Sequence, residues 1–112
     1  MAEARDDDEI FVYMGGDQAV PLGVRRARID RSVKIIPSNS FRYRHRLIYV
    51  EFHDEIEIIE EWAFINCISL RGRIKLLGVK IIKKSAFYGC SALTDVEFGH
   101  VLETIEDRAF FG

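Results

Sequence analysis

Residues 70–93 read LRGRIKLLGVKIIKKSAFYGCSAL, and this stretch decides the fold because its key residues recur along the chain at one fixed spacing. Phe41, Phe64, Phe87 and Phe110 lie 23 residues apart. The same 23-residue spacing relates Val33, Ile56, Val79 and Leu102, and again Ile36, Ile59, Ile82 and Ile105. Ser40, Ala63, Ala86 and Ala109 form a column of small residues; Leu47, Leu70 and Leu93 form another, and Cys67 and Cys90 a shorter one. A fixed period of this length is the signature of a solenoid, in which each unit stacks on the next.

The unit that follows Leu47 shows the internal plan. Val50-Glu51-Phe52 alternates apolar and polar residues as a half-buried strand does. Residues 53–55 turn, and Ile56 to Ile59 is a second extended run rich in β-branched residues. Glu60 to Cys67 reads as one helical or 3-10 turn, and Leu70 closes the unit. One unit cannot bury Ile56, Ile59, Phe64 and Leu70 alone, whereas stacking sets each column on its own copy and makes one core. The third unit is out of step: Ile74 and Leu76 stand one residue later than Val50 and Phe52 require, while Val79 is back in register. A one-residue insertion near Gly72, offset by a deletion near Gly78, keeps Arg73 and Lys75 out of the core.

These columns resemble the BspA-like leucine-rich repeat family. The resemblance rests on Leu70 through Ile74-Lys75-Leu76, Val79 to Ile82, Ala86-Phe87-Tyr88-Gly89-Cys90 and Leu93, and it covers roughly residues 24–112. It implies a repeat solenoid of the leucine-rich-repeat type, a β-rich α/β fold stacked right-handedly, with parallel strand ladders and short helical or 3-10 turns. It also implies recognition of proteins through the outward face of the first ladder. On that face the expected contacts are Arg26, Arg28, Tyr49, Glu51, His53, Arg73, Lys75, Asp95 and Glu97. Two positions depart from the pattern. Tyr43 and Asn66 stand where Gly89 and Gly112 stand, so the first unit's turn is expected to differ in shape, and Arg44 replaces its cysteine.

The chain has 112 residues, 48% of them hydrophobic, and a formal net charge of −2. That is one domain at most, and its balance of charge does not mark a nucleic-acid binder. Residues 1–9 read as an acidic disordered tail, residues 10–23 as a capping strand and turn, and residues 24–112 as three full units and a truncated fourth. No apolar run approaches the roughly 18 residues that cross a bilayer, and the acidic N-terminus is unlike a secretory leader, so the expected setting is intracellular. The last unit stops at Gly112, where the others run on to a further strand. The expectation is either a fragment of a longer repeat protein or an open end that serves for self-association.

Charge alternates by unit. Residues 1–23 carry a net −5, 24–46 a net +7, 47–70 a net −6, 71–93 a net +6, and 94–112 a net −4. Columns alternate too: Lys34, Glu57, Lys80, Glu103; Glu60, Lys83, Glu106; Glu61, Lys84, Asp107; and, after the offset, Arg28, Glu51, Lys75, Glu97. Stacked units would thus meet opposite charges, each exposed pair contributing about 0.2–1 kcal/mol, and skipping a unit would bring like charges together.

The residues hold no catalytic constellation, so no enzyme, metal or cofactor is expected. His45, His53 and His100 occupy different places in their units and read as solvent-exposed. Cys67 and Cys90 read as buried apolar groups, not a disulfide. Arg42, Arg44 and Arg46, interleaved with Tyr43, form the one cluster suited to anions, a minor alternative to protein binding, as is a plain spacer role. Trp62 is expected to be partly exposed and to cover the next unit, and Ile65, Tyr88 and Phe111 to pack in the core.

Overall fold

A computed structural model describes residues 9–112; the expected acidic tail, apart from Glu9, lies outside the described residues. Among the described residues, nine short strands lie on two sides of a flattened coil, alternating between them from β2 onward: β1 (Phe11–Tyr13), β2 (Arg26–Ile29), β3 (Ile35–Ile36), β4 (Tyr49–Glu51), β5 (Ile58–Ile59), β6 (Gly72–Leu76), β7 (Ile81–Ile82), β8 (Leu93–Phe98) and β9 (Thr104–Ile105). Every pairing is parallel. One side is a continuous sheet in the order β3-β5-β7-β9; the other is divided into β1-β2-β4 and β6-β8. This is a β-solenoid whose turns repeat every 23 residues, with Ile36, Ile59, Ile82 and Ile105 in one register row.

The apolar columns become contacts. Phe41, Phe64, Phe87 and Phe110 stack in parallel with centroids 4.8, 5.0 and 5.0 Å apart, and Tyr13 meets Phe41 edge-on at 5.3 Å. That spacing is the distance between neighbouring strands, about 4.8 Å, so the backbone sets the ring separation. Tyr13, Phe41, Ile56, Ile59, Phe64, Leu70 and Ile82 are fully buried.

The segment expected to be helical is not. In residues 60–67 alternate amides bond within the unit and to the next one. Ala63, Ile65 and Cys67 donate to the carbonyls of Glu60, Trp62 and Phe64, whereas Trp62, Phe64 and Asn66 donate to Lys84, Ala86 and Tyr88. A helix would use every amide internally. Left-handed residues interleave to produce this: Trp62 (φ 61°) and Asn66 (φ 57°), with Asn39 and Tyr43, Ser85 and Gly89, and Arg108 and Gly112 at the same places. The first turn therefore has the shape of the others, contrary to expectation. Tyr43 takes φ 58° because its amide is held by the Ile65 carbonyl at 2.9 Å.

The third unit shows the offset. Ile74 and Leu76 face the core, Arg73 and Lys75 face solvent, and Gly72 takes φ 82°. Strands β4 and β6 do not pair; a 3.4 Å bond from the Arg71 amide to the Ile48 carbonyl links the two units at that point. At Gly78 the backbone passes so close to the Asp54 carbonyl that a Cβ would overlap it.

Two substitutions test this packing. Phe64→Ala should destabilise by about 3–5 kcal/mol, because it opens the middle of the aromatic stack. Gly78→Ala, adding one methyl, should destabilise by about 1–3 kcal/mol. Denaturant midpoints at unchanged m-value measure both.

Candidate functional site

The outward face of the first ladder is built by strand alternation. Ala27, Ile29, Val50, Ile74 and Leu76 turn inward, which leaves Arg28, Tyr49, Glu51, Arg73, Lys75 and Asp95 exposed and Arg26 and Glu97 half-buried. The register sets Arg26 beside Tyr49, Arg28 beside Glu51, Arg73 beside Asp95 and Lys75 beside Glu97. The break between β4 and β6 divides this face into two panels.

His53 does not join it. The imidazole is 9% exposed, so it is neither on the outward face nor the solvent-exposed histidine expected. Alternation ends with β4 at Glu51, and in the turn that follows Nδ1 accepts the Glu55 amide at 3.0 Å. The other ring nitrogen, Nε2, has no hydrogen-bond partner among the described residues. His45 and His100 are exposed.

Charge contacts follow the alternation, one between direct register partners and the others reaching past them. Arg73 bridges Asp95 at 3.0 Å and Glu97 at 3.8 Å; Arg31 and Lys34 reach Glu55 at 3.4 and 3.5 Å. Lys34 thus pairs with Glu55 instead of Glu57, although the Glu57 amide stacks directly on the Lys34 carbonyl at 2.7 Å. All these side chains are at least 40% exposed, so water and salt screen them and each contributes under about 1 kcal/mol.

The basic cluster is divided. Arg42 and Arg46 are exposed, and the Arg42 guanidinium lies over the Tyr43 ring at 4.6 Å. Arg44 turns back into the protein, its Nε and Nη2 donating to the Val20 carbonyl at 3.1 and 2.7 Å. Later units do the same with sulfur: Cys67 Sγ donates to the Phe41 carbonyl and Cys90 Sγ to the Phe64 carbonyl, both at 3.1 Å. Arg44 is the cysteine position lengthened to reach the segment that precedes the first unit. Both cysteines are free and buried, and the Cys67 thiol is pushed well above its usual range by the adjacent Cys90 thiol and by burial, which keeps it protonated.

Trp62 is 40% exposed, and the Ile65, Tyr88 and Phe111 column is half-buried to exposed, with Tyr88 and Phe111 stacked at 5.5 Å. That column forms a surface stripe and does not pack as core. Among the described residues no group of three or more His, Cys, Asp or Glu side chains could hold a metal, and no helix is long and apolar enough to cross a membrane. The last unit, whose open end the sequence offered for self-association, carries a cavity of about 380 Å³ lined by Leu93, Val96, Phe98, Ile105 and Phe110.

A family model described as the BspA type leucine-rich repeat region, in six copies, matches residues 23–112. Comparisons with curated proteins and with solved structures gave no match.

Arg44→Ala should destabilise by about 1.5–3 kcal/mol, since it strands the Val20 carbonyl, and should speed hydrogen exchange within residues 13–24. Arg44→Lys should restore only part, lacking the two-pronged donor. Exchange monitored by mass spectrometry reads both effects.

Proposed function

From the chain's membership of the BspA-type leucine-rich repeat family, which residues 23–112 establish, we propose that it is a protein-interaction module whose partner meets the outward face of the first strand ladder. Domains of this class generally bind proteins, and the solenoid fold is typically non-enzymatic. The observation that carries the reading is the set Arg28, Tyr49, Glu51 and Lys75. These side chains stand exposed on strands whose alternate residues are locked in the core. A surface held this way loses little freedom when a partner binds, so its affinity is not spent on ordering. Tyr49, 42% exposed beside Arg26 on the edge strand β4, is the aromatic contact of one panel. Lys75 and Asp95 supply both signs of charge on the other.

Arg26, Arg73 and Glu97 belong to the same face, where they border the contact and set its polarity. Arg42 and Arg46 offer a weaker surface for anions, because Arg44, between them, is occupied by Val20. With that guanidinium engaged, a polyanion would meet two separated cations instead of a row of three.

The test is a paired charge reversal, Arg28→Glu with Lys75→Glu. Both side chains are exposed, so stability should change by less than about 1 kcal/mol. Crosslinking and mass spectrometry should show a discrete partner on the unaltered protein and its loss from the variant. If both proteins crosslink the same partner, or neither crosslinks any, binding through the ladder face is wrong and a spacer role fits better. Salt-steep binding of heparin that the reversal leaves intact, and that Arg42→Glu with Arg46→Glu removes, would move the function to the basic cluster.

A further inference from the structure

The continuous sheet β3-β5-β7-β9 has an outward face of its own, on the side of the coil away from the first ladder. Its register sets Ile35, Ile58, Ile81 and Thr104 in one row. Successive strand residues point to opposite faces, so this row turns outward where Ile36, Ile59 and Ile82 are buried completely. Ile35 is 47% exposed, Thr104 is exposed, and Ile58 and Ile81 are half-buried. A row of β-branched residues is what two sheets bury when they pack face to face. Ile58 and Ile81 belong to internal units, stacked on both sides, so their exposure is a property of the face and not of either end of the coil.

Charge flanks the row on both sides. Glu57 and Lys80 directly precede Ile58 and Ile81, and Glu60 and Lys83 follow them by two residues. Stacked neighbours of opposite sign could pair within the chain. Among the described residues, however, none of these four side chains makes an ion pair. Their charge is left for whatever meets the face.

We infer that this face docks a second copy of the same chain, the two sheets meeting about a two-fold axis that runs along the strands midway between β5 and β7. The alternation of sign selects that arrangement. About such an axis Glu57 meets Lys80 of the other copy, Glu60 meets its Lys83, and Ile58 meets its Ile81, each contact being made twice. Lys34 and Ile35 fall opposite Glu103 and Thr104. An axis along the stack would instead set each unit on itself, Glu57 against Glu60 and Lys80 against Lys83. Sliding the pair by one unit would also bring like charges together. Facing sheets pack about 10 Å apart, a gap that one isoleucine from each side fills and that extended Lys and Glu side chains can cross. The face is narrow, so the dimer is reversible and concentration-dependent, not obligate. It lies on the other side of the coil from Arg28 and Lys75, so it goes beyond the ladder-face reading and stands or falls independently of it.

Sedimentation equilibrium of the full chain over rising concentration should show monomer and dimer in exchange, with salt shifting the balance toward monomer. Glu57→Lys with Glu60→Lys should weaken the dimer about tenfold, and so, separately, should Lys80→Glu with Lys83→Glu. Mixing these two variants should restore it, because one then presents only bases across the axis and the other only acids. Restoration on mixing separates loss of the contact from loss of the fold. Carbodiimide crosslinking of an equal mixture of isotopically light and heavy unaltered chains reads the arrangement with no substitution at all. Links of mixed isotope should join Glu57 to Lys80 and Glu60 to Lys83. Arg28→Glu with Lys75→Glu should leave the dimer unchanged. A monomer at every concentration, a dimer that both reversals leave intact, folded variants that do not recover on mixing, or mixed-isotope links that join other surfaces would overturn the inference.

Discussion

The hydrogen bonds that hold one turn of the coil against the next run in two directions, and most of the architecture depends on that. On the continuous sheet side, amides point backward: Glu57 donates to Lys34, Lys80 to Glu57, Glu103 to Lys80. In the turn that carries the phenylalanine, they point forward: Phe41 donates to Ala63, Phe64 to Ala86, Phe87 to Ala109. Each unit is thus both donor and acceptor to each neighbour, and its rise is fixed near the strand spacing of about 4.8 Å. Rings, isoleucines and charges repeating at 23 residues then have nowhere to be but in contact with their own copies. Left-handed residues follow from the same constraint, since amides can alternate between neighbour and self only if the chain reverses its local hand every few residues.

That constraint explains what could be read from the residues and what could not. Column periodicity reports stacking directly, so the Phe, Ile and Ala columns and the inward set of each strand were legible. So was the offset at Gly72, because Arg73 and Lys75 could not be buried. The absence of helix was not legible. The left-handed position is filled by Asn39, Trp62, Ser85 and Arg108, residues that share no conformational preference. Tyr43 misled in the same way, its intrinsic reluctance being overridden by one amide bond to Ile65. For the candidate surface, alternation placed every strand residue correctly and failed at His53, one step past the strand, where turn geometry takes over from pleat. Arg44 looked like part of an anion cluster because sequence shows charge and not the carbonyl that the charge is aimed at.

Charge acts in this molecule more on order than on strength. The ion pairs seen among the described residues, those of Arg31, Lys34 and Arg73, are exposed and converge on Glu55, Asp95 and Glu97. Their summed stabilisation is small beside that of the buried phenylalanines and isoleucines, each of which contributes about 1.5–3 kcal/mol. Apolar columns, though, are nearly identical from unit to unit and cannot distinguish the second unit from the third. Alternating sign can, since a stack that omitted one unit would set Glu57 against Glu103. A protein made of interchangeable hydrophobic units gains its single arrangement from interactions that are individually weak.

The same reasoning bears on the surface proposed for a partner. On the ladder face each strand pairs within its sheet, apart from the gap between β4 and β6, so recognition there falls to side chains such as Tyr49, Arg28 and Lys75. With backbone amides and carbonyls engaged along each panel, discrimination there rests on the charge and shape of those side chains.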